Sequence, residues 1–321
     1  MRFLIIGAGA LGGYYGGMLL KGGADVTFLV RPRRAAQLAD RGLVVKSADE
    51  EFVTRVRTVQ AGDIGGPYDV VFLTCKAYDL DTALDDFLPA LAPDGAVLPV
   101  LNGINHIAVL KDRLGAARVL GGVVIFLVTM TPGGEIMVPG HGTGQTSFGE
   151  LTGERSARCE AIQTALAAGG IASTVSGNIV TEVWGKFCGM AASSTIAVVT
   201  RSRAGEVAAA PAGAAFAVAA FDECARVTTA EGYPPPTNIR EIVLGMWSQP
   251  GSDYGPSMLH DIENGRPNEG DHIIGDMVRR ADRLGVTVPI LRAALCNLQI
   301  CEAHRLQLKE AAELPTAAAK P

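Results

Sequence analysis

The sequence has little charge, few aromatic residues and none of the common metal-binding spacings. Charged residues make up 19% of its 321 residues and the net charge is −5, and no stretch interleaves basic with aromatic residues, so a nucleic-acid partner is not expected. Its six cysteines include no C-x-x-C pair and its five histidines no H-E-x-x-H, so we expect reduced thiols and no metal site. A hydrophobic share of 48% excludes a disordered chain.

Long hydrophobic runs are missing as well. The first apolar run has four residues, which is too short for the apolar region of a signal peptide. The longest uncharged tract, 207–221, contains Pro211 and is shorter than a bilayer span. We therefore expect a soluble, cytoplasmic protein without a membrane partner, and the length favours two domains.

A glycine-rich turn near the N-terminus is the most informative local motif. Phe3–Ile6 predicts a buried strand, a helix begins near Leu11, and Gly7, Gly9 and Gly12 between them have the order G-x-G-x-x-G. In a phosphate-binding turn the first glycine allows the tight bend, the second admits a pyrophosphate, and the third permits close helix packing. The N-terminus of the helix offers free N–H groups to that anion. We expect dinucleotide binding, with a purely structural turn as the alternative.

Strands and helices alternate in the first half of the chain. Strands are predicted at 25–30, 69–74, 96–101, within 119–130 and at 171–175. Helices are predicted at 33–41, 80–91 and 155–168, and a further short helix is predicted to end at Leu114. This alternation predicts an α/β fold with a Rossmann-type, doubly wound parallel sheet. Residues 43–46 and 52–59 predict antiparallel or edge strands, and 135–149 predicts a hairpin that closes the sheet.

The second half has helical periodicity almost throughout. Its breaks fall at Pro211, 234–236, 251–256 and 265–267, and the helical pattern ends near Lys309. We therefore predict a Rossmann domain at 1–176, an all-helical domain at 177–310 and a disordered tail at 311–321.

The residues after the second strand bear on the choice of cofactor. An NAD site favours an acidic residue about 20 positions after the glycines, to bind the ribose 2′-hydroxyl. Here Arg31 lies 19 positions after Gly12, in the segment Val30-Arg-Pro-Arg-Arg34, which contains no acid. Guanidinium groups bind a 2′-phosphate through charge-assisted hydrogen bonds, so we predict NADP(H). A solvated basic helix start is the alternative, although cations are unfavourable beside a helix N-terminus.

Two further polar residues follow predicted parallel strands. Lys76 and Asn102 stand just beyond the C-terminal ends of such strands, where ligands bind in open α/β sheets. A surface charge and a plain Asn-Gly turn are the alternatives. Position alone does not choose between these interpretations.

A lysine in the helical half is a candidate general acid. Lys186 lies in an apolar segment with Trp184, Phe187 and Met190, on a long helix that Asn178 can cap. In an enclosed site such a lysine can protonate a developing alkoxide. Alternatively, Glu182 and Lys186 form an i, i+4 surface pair.

A later segment carries two more polar candidates. Ser257 could cap the short helix that Gly265 ends, and Glu269 could complement the dipole of the following helix. Each residue taken alone has this structural explanation.

Five motifs together resemble the ketopantoate reductase family (2-dehydropantoate 2-reductases). They are Gly7-Ala8-Gly9-Ala10-Leu11-Gly12, Leu73-Thr-Cys-Lys76, Leu101-Asn-Gly103, Glu182-Val-Trp-Gly-Lys186 and Ser257-Met-Leu-His-Asp-Ile-Glu-Asn-Gly-Arg-Pro-Asn-Glu269. The resemblance covers about residues 1–305, and the last motif, S-M-x-x-D-x-x-x-G-R-x-x-E, is its most specific part.

The resemblance implies an N-terminal Rossmann domain, a helical C-terminal domain, an active site in the cleft between them, and NADPH-dependent reduction of ketopantoate to pantoate for pantothenate synthesis. It assigns Lys186 as the proton donor and Glu269 as the glutamate that supports this lysine or the nascent hydroxyl. It assigns Ser257 to the substrate and Asn102 to both the nicotinamide and the substrate. Lys76 and Arg31 match cofactor-contacting positions.

The sequence departs from the family at two positions. Asparagines are common four and eight residues after the lysine, whereas Met190 and Ser194 stand there, on the face of the helix that carries Lys186. This favours a 2-keto acid substrate that is less hydroxylated, or larger, than ketopantoate. A 3-hydroxy acid or sugar-phosphate dehydrogenase and a non-catalytic NADPH sensor are the alternatives, and a monomer and a homodimer both stay open.

Overall fold

The chain separates into two compact units in the computed structural model, Met1–Val183 and the residues from Trp184 onward. The structure describes residues 1–139 and 144–313, with side chains described as far as residue 309. The domain boundary expected at residue 176 stays a prediction. No helix within the described residues is both long and apolar enough to span a membrane.

Over its described residues, the first unit contains twelve strands and five complete α-helices. Its strands are β1 (Arg2–Ile6), β2 (Asp25–Leu29), β3 (Leu43–Lys46), β4 (Glu51–Thr54), β5 (Arg57–Val59), β6 (Tyr68–Leu73), β7 (Leu91–Pro99), β8 (Leu120–Ile125), β9 (Thr129–Met130), β10 (Ile136–Met137), β11 (Gln145–Glu150) and β12 (Thr174–Val175). The helices among them are α1 (Ala10–Lys21), α2 (Pro32–Arg41), α3 (Leu80–Phe87), α4 (Asn105–Leu114) and α5 (Ala157–Ala168).

Helices account for the regular structure of the second unit over its described residues. They are α6 (Ile179–Thr200), which begins within the first unit, then α7 (Ala204–Ala209), α8 (Gly213–Ala230), α9 (Thr237–Met246), α10 (Ser257–Glu263), α11 (Asp276–Leu284) and α12 (Pro289–Glu313). The breaks predicted at Pro211, 234–236, 251–256 and 265–267 fall between these helices. Proline lacks the backbone N–H that a helix needs, and glycine destabilises a helix interior.

The main sheet has five parallel strands in the order β5-β2-β1-β6-β7. β1 lies at its centre, with Phe3 opposite Val26 of β2 on one side and Val70 of β6 on the other. The chain thus winds outward in both directions from β1, and the order reverses between β1 and β6. This is the predicted doubly wound Rossmann topology, which binds ligands at the carboxyl ends of the strands beside the reversal.

Alternate residues of β1 enter two separate hydrophobic cores. Phe3 and Ile5 pack with α1 and α5, whereas Leu4 and Ile6 pack with α3 and α4. A strand that is buried on both faces is a continuous apolar run, and this explains the sequence Phe-Leu-Ile-Ile. The glycines of α1 allow this packing, because a Cβ at Gly16 would collide with the ring of Phe28.

The hairpin predicted at 135–149 is wrong. β10 pairs antiparallel with β9 and parallel with β3, while β11 pairs antiparallel with β8 and parallel with β12. The two halves of the predicted hairpin therefore belong to different sheets, β4-β3-β10-β9 and β12-β11-β8. Turn residues cannot reveal such long-range partners, and the centre of the predicted hairpin, 140–143, lies outside the described residues.

Two other segments differ from their predictions. Residues 52–59 form two strands, since β4 pairs antiparallel with β3 whereas β5 is the parallel edge strand of the main sheet beside β2. The last helix continues past Lys309 to Glu313, because Ala311, Ala312 and Glu313 are strong helix formers. The rest of the predicted tail, 314–321, lies outside the described residues.

Candidate active-site residues in the two units

The carboxyl edge of the main sheet gathers most of the predicted cofactor residues. Because the five strands are parallel, the segments after β1, β2, β6 and β7 all leave at this edge. Hydrogen bonds join neighbouring strand ends there, from Gly7 N to Leu29 O (2.9 Å) and from Val100 N to Leu73 O (3.1 Å). The glycine turn, Arg31, Lys76 and Asn102 thus follow strands that end side by side.

The three motif glycines occupy three different environments. Gly7 has φ = +90°, a conformation that favours glycine. A Cβ at Gly12 would collide with the Gly7 carbonyl oxygen and Thr74 Oγ1, so this glycine allows α1 to start against the turn. Gly9 is the N-cap of α1 with no side-chain cap, and a Cβ there would meet nothing within 4 Å. The space beside Gly9 and the free N–H groups of α1 fit the phosphates of a dinucleotide.

Thr74 is a residue of this edge that the sequence reasoning missed. Its hydroxyl donates to the Ile6 carbonyl oxygen at 2.7 Å and so ties the segment after β6 to the end of β1. The bond lies where the strand order reverses, beside the glycine turn. A threonine directly after a buried strand was the available signal.

Arg31 and Arg34 differ strongly in their surroundings. Arg31 is the N-cap of α2, its side chain is 77% exposed, and its Nη2 donates to Asp79 Oδ1 at 2.7 Å. Arg34 is half-buried, and its Nε donates to the carbonyl oxygen of Ala8, inside the glycine turn, at 2.9 Å. The predicted 2′-phosphate ligand therefore already has an anionic partner, whereas Arg34 contacts the turn directly.

Lys76 and Asn102 stand at the expected edge. Lys76 is exposed at the start of a single 3₁₀ turn, Ala77–Asp79, that follows β6. Asn102 is half-buried in the turn after β7, and Gly103 beside it has φ = +81°. Both side chains make polar or electrostatic contacts in the structure.

The second unit brings Lys186 under the influence of Glu269. Lys186 is half-buried on α6, where Trp184 and Phe187, which are near it in sequence, are both buried. Burial lowers the pKa of Lys186 to about 8, while the charge of Glu269 opposes that decrease. Glu269 is only 6% exposed, 83 residues away in sequence. Removing a lysine from water disfavours its ammonium form, whereas a nearby carboxylate favours that form.

The interpretation of Lys186 as half of an exposed surface pair is wrong. Glu182 Oε1 accepts a hydrogen bond from Ser176 Oγ, and Glu269 is the carboxylate that raises the pKa of Lys186. A solvated i, i+4 pair would leave the lysine exposed with an ordinary pKa. Lys186 instead has the lowered pKa that is useful in a general acid near neutral pH.

The rest of the predicted set lies on α6 and α10. Met190 is half-buried and Ser194 is 3% exposed, at the positions one and two turns after Lys186. Ser257 is the first residue of α10 and Pro256 is its N-cap, so the alternative that Ser257 caps this helix is wrong. Glu269 lies two residues before the π-helical segment Asp271–Gly275, and π-helical turns are frequent at functional sites.

The first unit has a Rossmann sheet with a glycine turn, and the second has Lys186 under the influence of the Glu269 carboxylate. These features are typical of the class of nucleotide-dependent oxidoreductases. Residues 3–153 match the family model described as ketopantoate reductase PanE/ApbA, and residues 178–300 match the model of its C-terminal region. The chain belongs to the ketopantoate reductase family, and it is an oxidoreductase that acts on a keto or hydroxyl group with a pyridine nucleotide.

Individual relatives cover almost the whole chain. The uncharacterized oxidoreductase YkpB of Bacillus subtilis is 34% identical and covers 95% of this chain and 100% of the relative. The 2-dehydropantoate 2-reductase of Archaeoglobus fulgidus is 28% identical, over 92% of this chain and 95% of the relative. A crystal structure of a PanE/ApbA family ketopantoate reductase from Ralstonia eutropha has a TM-score of 0.85 at 26% identity, over 95% of this chain and 100% of that one.

Proposed function

We propose that this protein reduces 2-dehydropantoate (ketopantoate) to pantoate with NADPH, for pantothenate biosynthesis. The observation that carries the proposal is Lys186, whose pKa of about 8 results from burial opposed by the charge of Glu269. A lysine with this pKa is mostly protonated at neutral pH and still releases its proton readily. Family membership supplies the reaction class.

Four residues of the chain have roles in the proposed reaction. When bound, NADPH supplies the hydride that reduces the carbonyl carbon. Lys186 Nζ then gives its proton to the ketone oxygen as that oxygen takes on charge, and Glu269 stabilises the ammonium form of Lys186 beforehand. Ser257 and Asn102 hold the polar groups of the substrate.

On the cofactor side, the glycine turn holds the phosphates. The N–H groups of Ala10 and Leu11 lie in the first turn of α1, and the space beside Gly9 admits the pyrophosphate. Lys76 contacts the cofactor, and Arg31 binds the 2′-phosphate that distinguishes NADPH from NADH. Because Arg31 is paired with Asp79, binding requires the guanidinium to share or leave that carboxylate.

A second candidate is reduction of a 2-keto acid with a larger apolar substituent. Met190 and Ser194 replace amide side chains on the Lys186 face of α6, which removes hydrogen-bonding capacity. In the first unit, Ile125 at the end of β8 and Leu127 two residues later are 51% and 68% exposed, and Gly122 of the same strand packs against Pro99, the last residue of β7. Neighbouring exposed apolar side chains commonly mark contact surfaces.

A keto-acid screen separates the two candidates. Purified protein is mixed with NADPH and, in turn, ketopantoate, unbranched aliphatic 2-keto acids, branched and aromatic 2-keto acids, and a 3-keto acid, and NADPH oxidation is followed optically. The proposal predicts the highest kcat/KM for ketopantoate, whereas a higher value for an aromatic or long aliphatic acid selects the second candidate. A protein that binds NADPH but turns over no keto acid would instead be a sensor.

A further inference from the structure

Arg34 is held in one position against the glycine turn. Its Nε donates to the Ala8 carbonyl oxygen at 2.9 Å, and its Nη1 donates to Gln37 Oε1 at 3.3 Å. A Cβ at Gly134 would collide with Nη1, so the guanidinium packs directly on the backbone of that glycine. The planar group therefore has little freedom to turn away from Ala8.

The third guanidinium nitrogen of Arg34, Nη2, has no hydrogen-bond acceptor in the part of the chain that the structure describes. Nε and Nη2 share one edge of a guanidinium, so Nη2 lies beside the N–H that is bonded to Ala8 O and faces the same turn. Nη2 is buried and finds no partner among the described residues. A buried donor without an acceptor costs free energy, and more so when it belongs to a charged group.

The charge of Arg34 is also unbalanced. Its acceptors are a backbone carbonyl and an amide oxygen, and within residues 1–139 and 144–313 it forms no ion pair. Burial lowers the pKa of Arg34, so the fold disfavours the charged form that arginine nevertheless keeps. The positive end of α1 begins two residues after Ala8 and adds to the same positive potential.

We propose that Arg34 is a phosphate-recognition residue of the dinucleotide site, and that a phosphate oxyanion of the cofactor balances its otherwise uncompensated charge. The proposal rests on the proposed cofactor binding and adds a residue to it. Arg31 is exposed and paired with Asp79, whereas Arg34 is fixed to the backbone of the glycine turn. Arg34 is thus already positioned, and the phosphate would bind a charge that has no partner of opposite sign among the described residues.

Equilibrium binding tests this assignment without turnover. Titration calorimetry with NADPH and with NADH is carried out on the wild type, Arg34→Gln and Arg34→Lys. Arg33→Gln is the matched control, because it removes the same charge from an exposed neighbour. We expect Arg34→Gln to lose about 10- to 100-fold in NADPH affinity, the range for a hydrogen bond to a charged group. Arg34→Lys should recover part of that loss, and Arg33→Gln should change affinity by about twofold or less.

The two dinucleotides distinguish the two phosphates. A loss for NADPH much greater than for NADH assigns Arg34 to the 2′-phosphate, and equal losses assign it to the pyrophosphate that both dinucleotides carry. The affinity of Arg34→Gln should also depend less on salt than that of the wild type, because one charged contact is gone.

Thermal unfolding of the free protein separates recognition from a structural role. If the charge is uncompensated, the free Arg34→Gln protein unfolds at the same temperature as the wild type or higher. The proposal is overturned if the variant binds NADPH as the wild type does, or if it loses affinity only together with a lower unfolding temperature and an unchanged salt dependence. A wild type that binds neither dinucleotide overturns the proposed function as well, so the two failures are distinguishable.

Discussion

The pH dependence of catalysis follows directly from the environment of Lys186. Burial lowers its pKa from 10.5 to about 8. The ammonium form that donates the proton is then about nine-tenths populated at pH 7 and about one-tenth at pH 9, whereas an ordinary lysine would be almost fully protonated at both. We expect kcat/KM for keto-acid reduction to be level below pH 7 and to fall about tenfold per pH unit well above pH 8.

Glu269→Gln tests the cause of this pKa. The carboxylate of Glu269 raises the pKa of Lys186 against the effect of burial, so its neutral isostere should move the falling limb of the pH profile to lower pH. The readout is the position of the inflection, since the height of the profile also reports any contact that Glu269 makes with the substrate. Glu263→Gln is the control, because that carboxylate is exposed and paired with Arg203.

Steady-state NADPH oxidation over a pH series, with saturating cofactor, provides the measurement. An inflection near the pKa of an ordinary lysine would show that Lys186 is not desolvated in solution. An unchanged or upward shift in Glu269→Gln would refute the electrostatic coupling. Lys186→Met should lower kcat by about 10²–10⁴-fold below pH 7 and by progressively less above pH 8, where the lysine of the wild type is itself deprotonated. A variant that keeps wild-type turnover at pH 7 removes Lys186 from the mechanism.

Three further predictions concern the cofactor site and the stability of the fold. Arg31→Ala should weaken NADPH binding about tenfold or more while NADH binding changes little, and equal losses in calorimetry would contradict the 2′-phosphate role. Gly12→Ala should lower the free energy of unfolding by about 1–3 kcal/mol, as measured by denaturant titration. Gly9→Ala should leave the free energy of unfolding within about 0.5 kcal/mol of the wild type but reduce cofactor affinity, as measured by calorimetry. Glu223→Gln should cost about 1–2 kcal/mol in the same titration, because Glu223 accepts from the N–H groups of residues 290 and 291 at the start of α12, and no loss would contradict that capping role.

The local elements were predictable because their signals are local. The strand at Phe3–Ile6, the helix after the glycine turn and the end of a helix at Gly42 depend on hydrophobic burial and backbone sterics within a few residues, and these predictions are confirmed. The hairpin at 135–149 failed for the opposite reason. Which strand pairs with β10 or β11 depends on residues far away in sequence, and no local pattern encodes that choice.

The sequence by itself determined the family, the doubly wound sheet and the residue types available for chemistry. It could not decide the state of those residues, because burial and charge partners depend on chain segments that are distant in sequence. Only the tertiary structure brought Glu269 to Lys186 and lowered the pKa of that lysine, and only it paired Arg31 with Asp79. It also fixed Arg34 against Ala8. The sequence shows several arginines close together, and which of them contacts the glycine turn is decided only when α2 packs beside that turn.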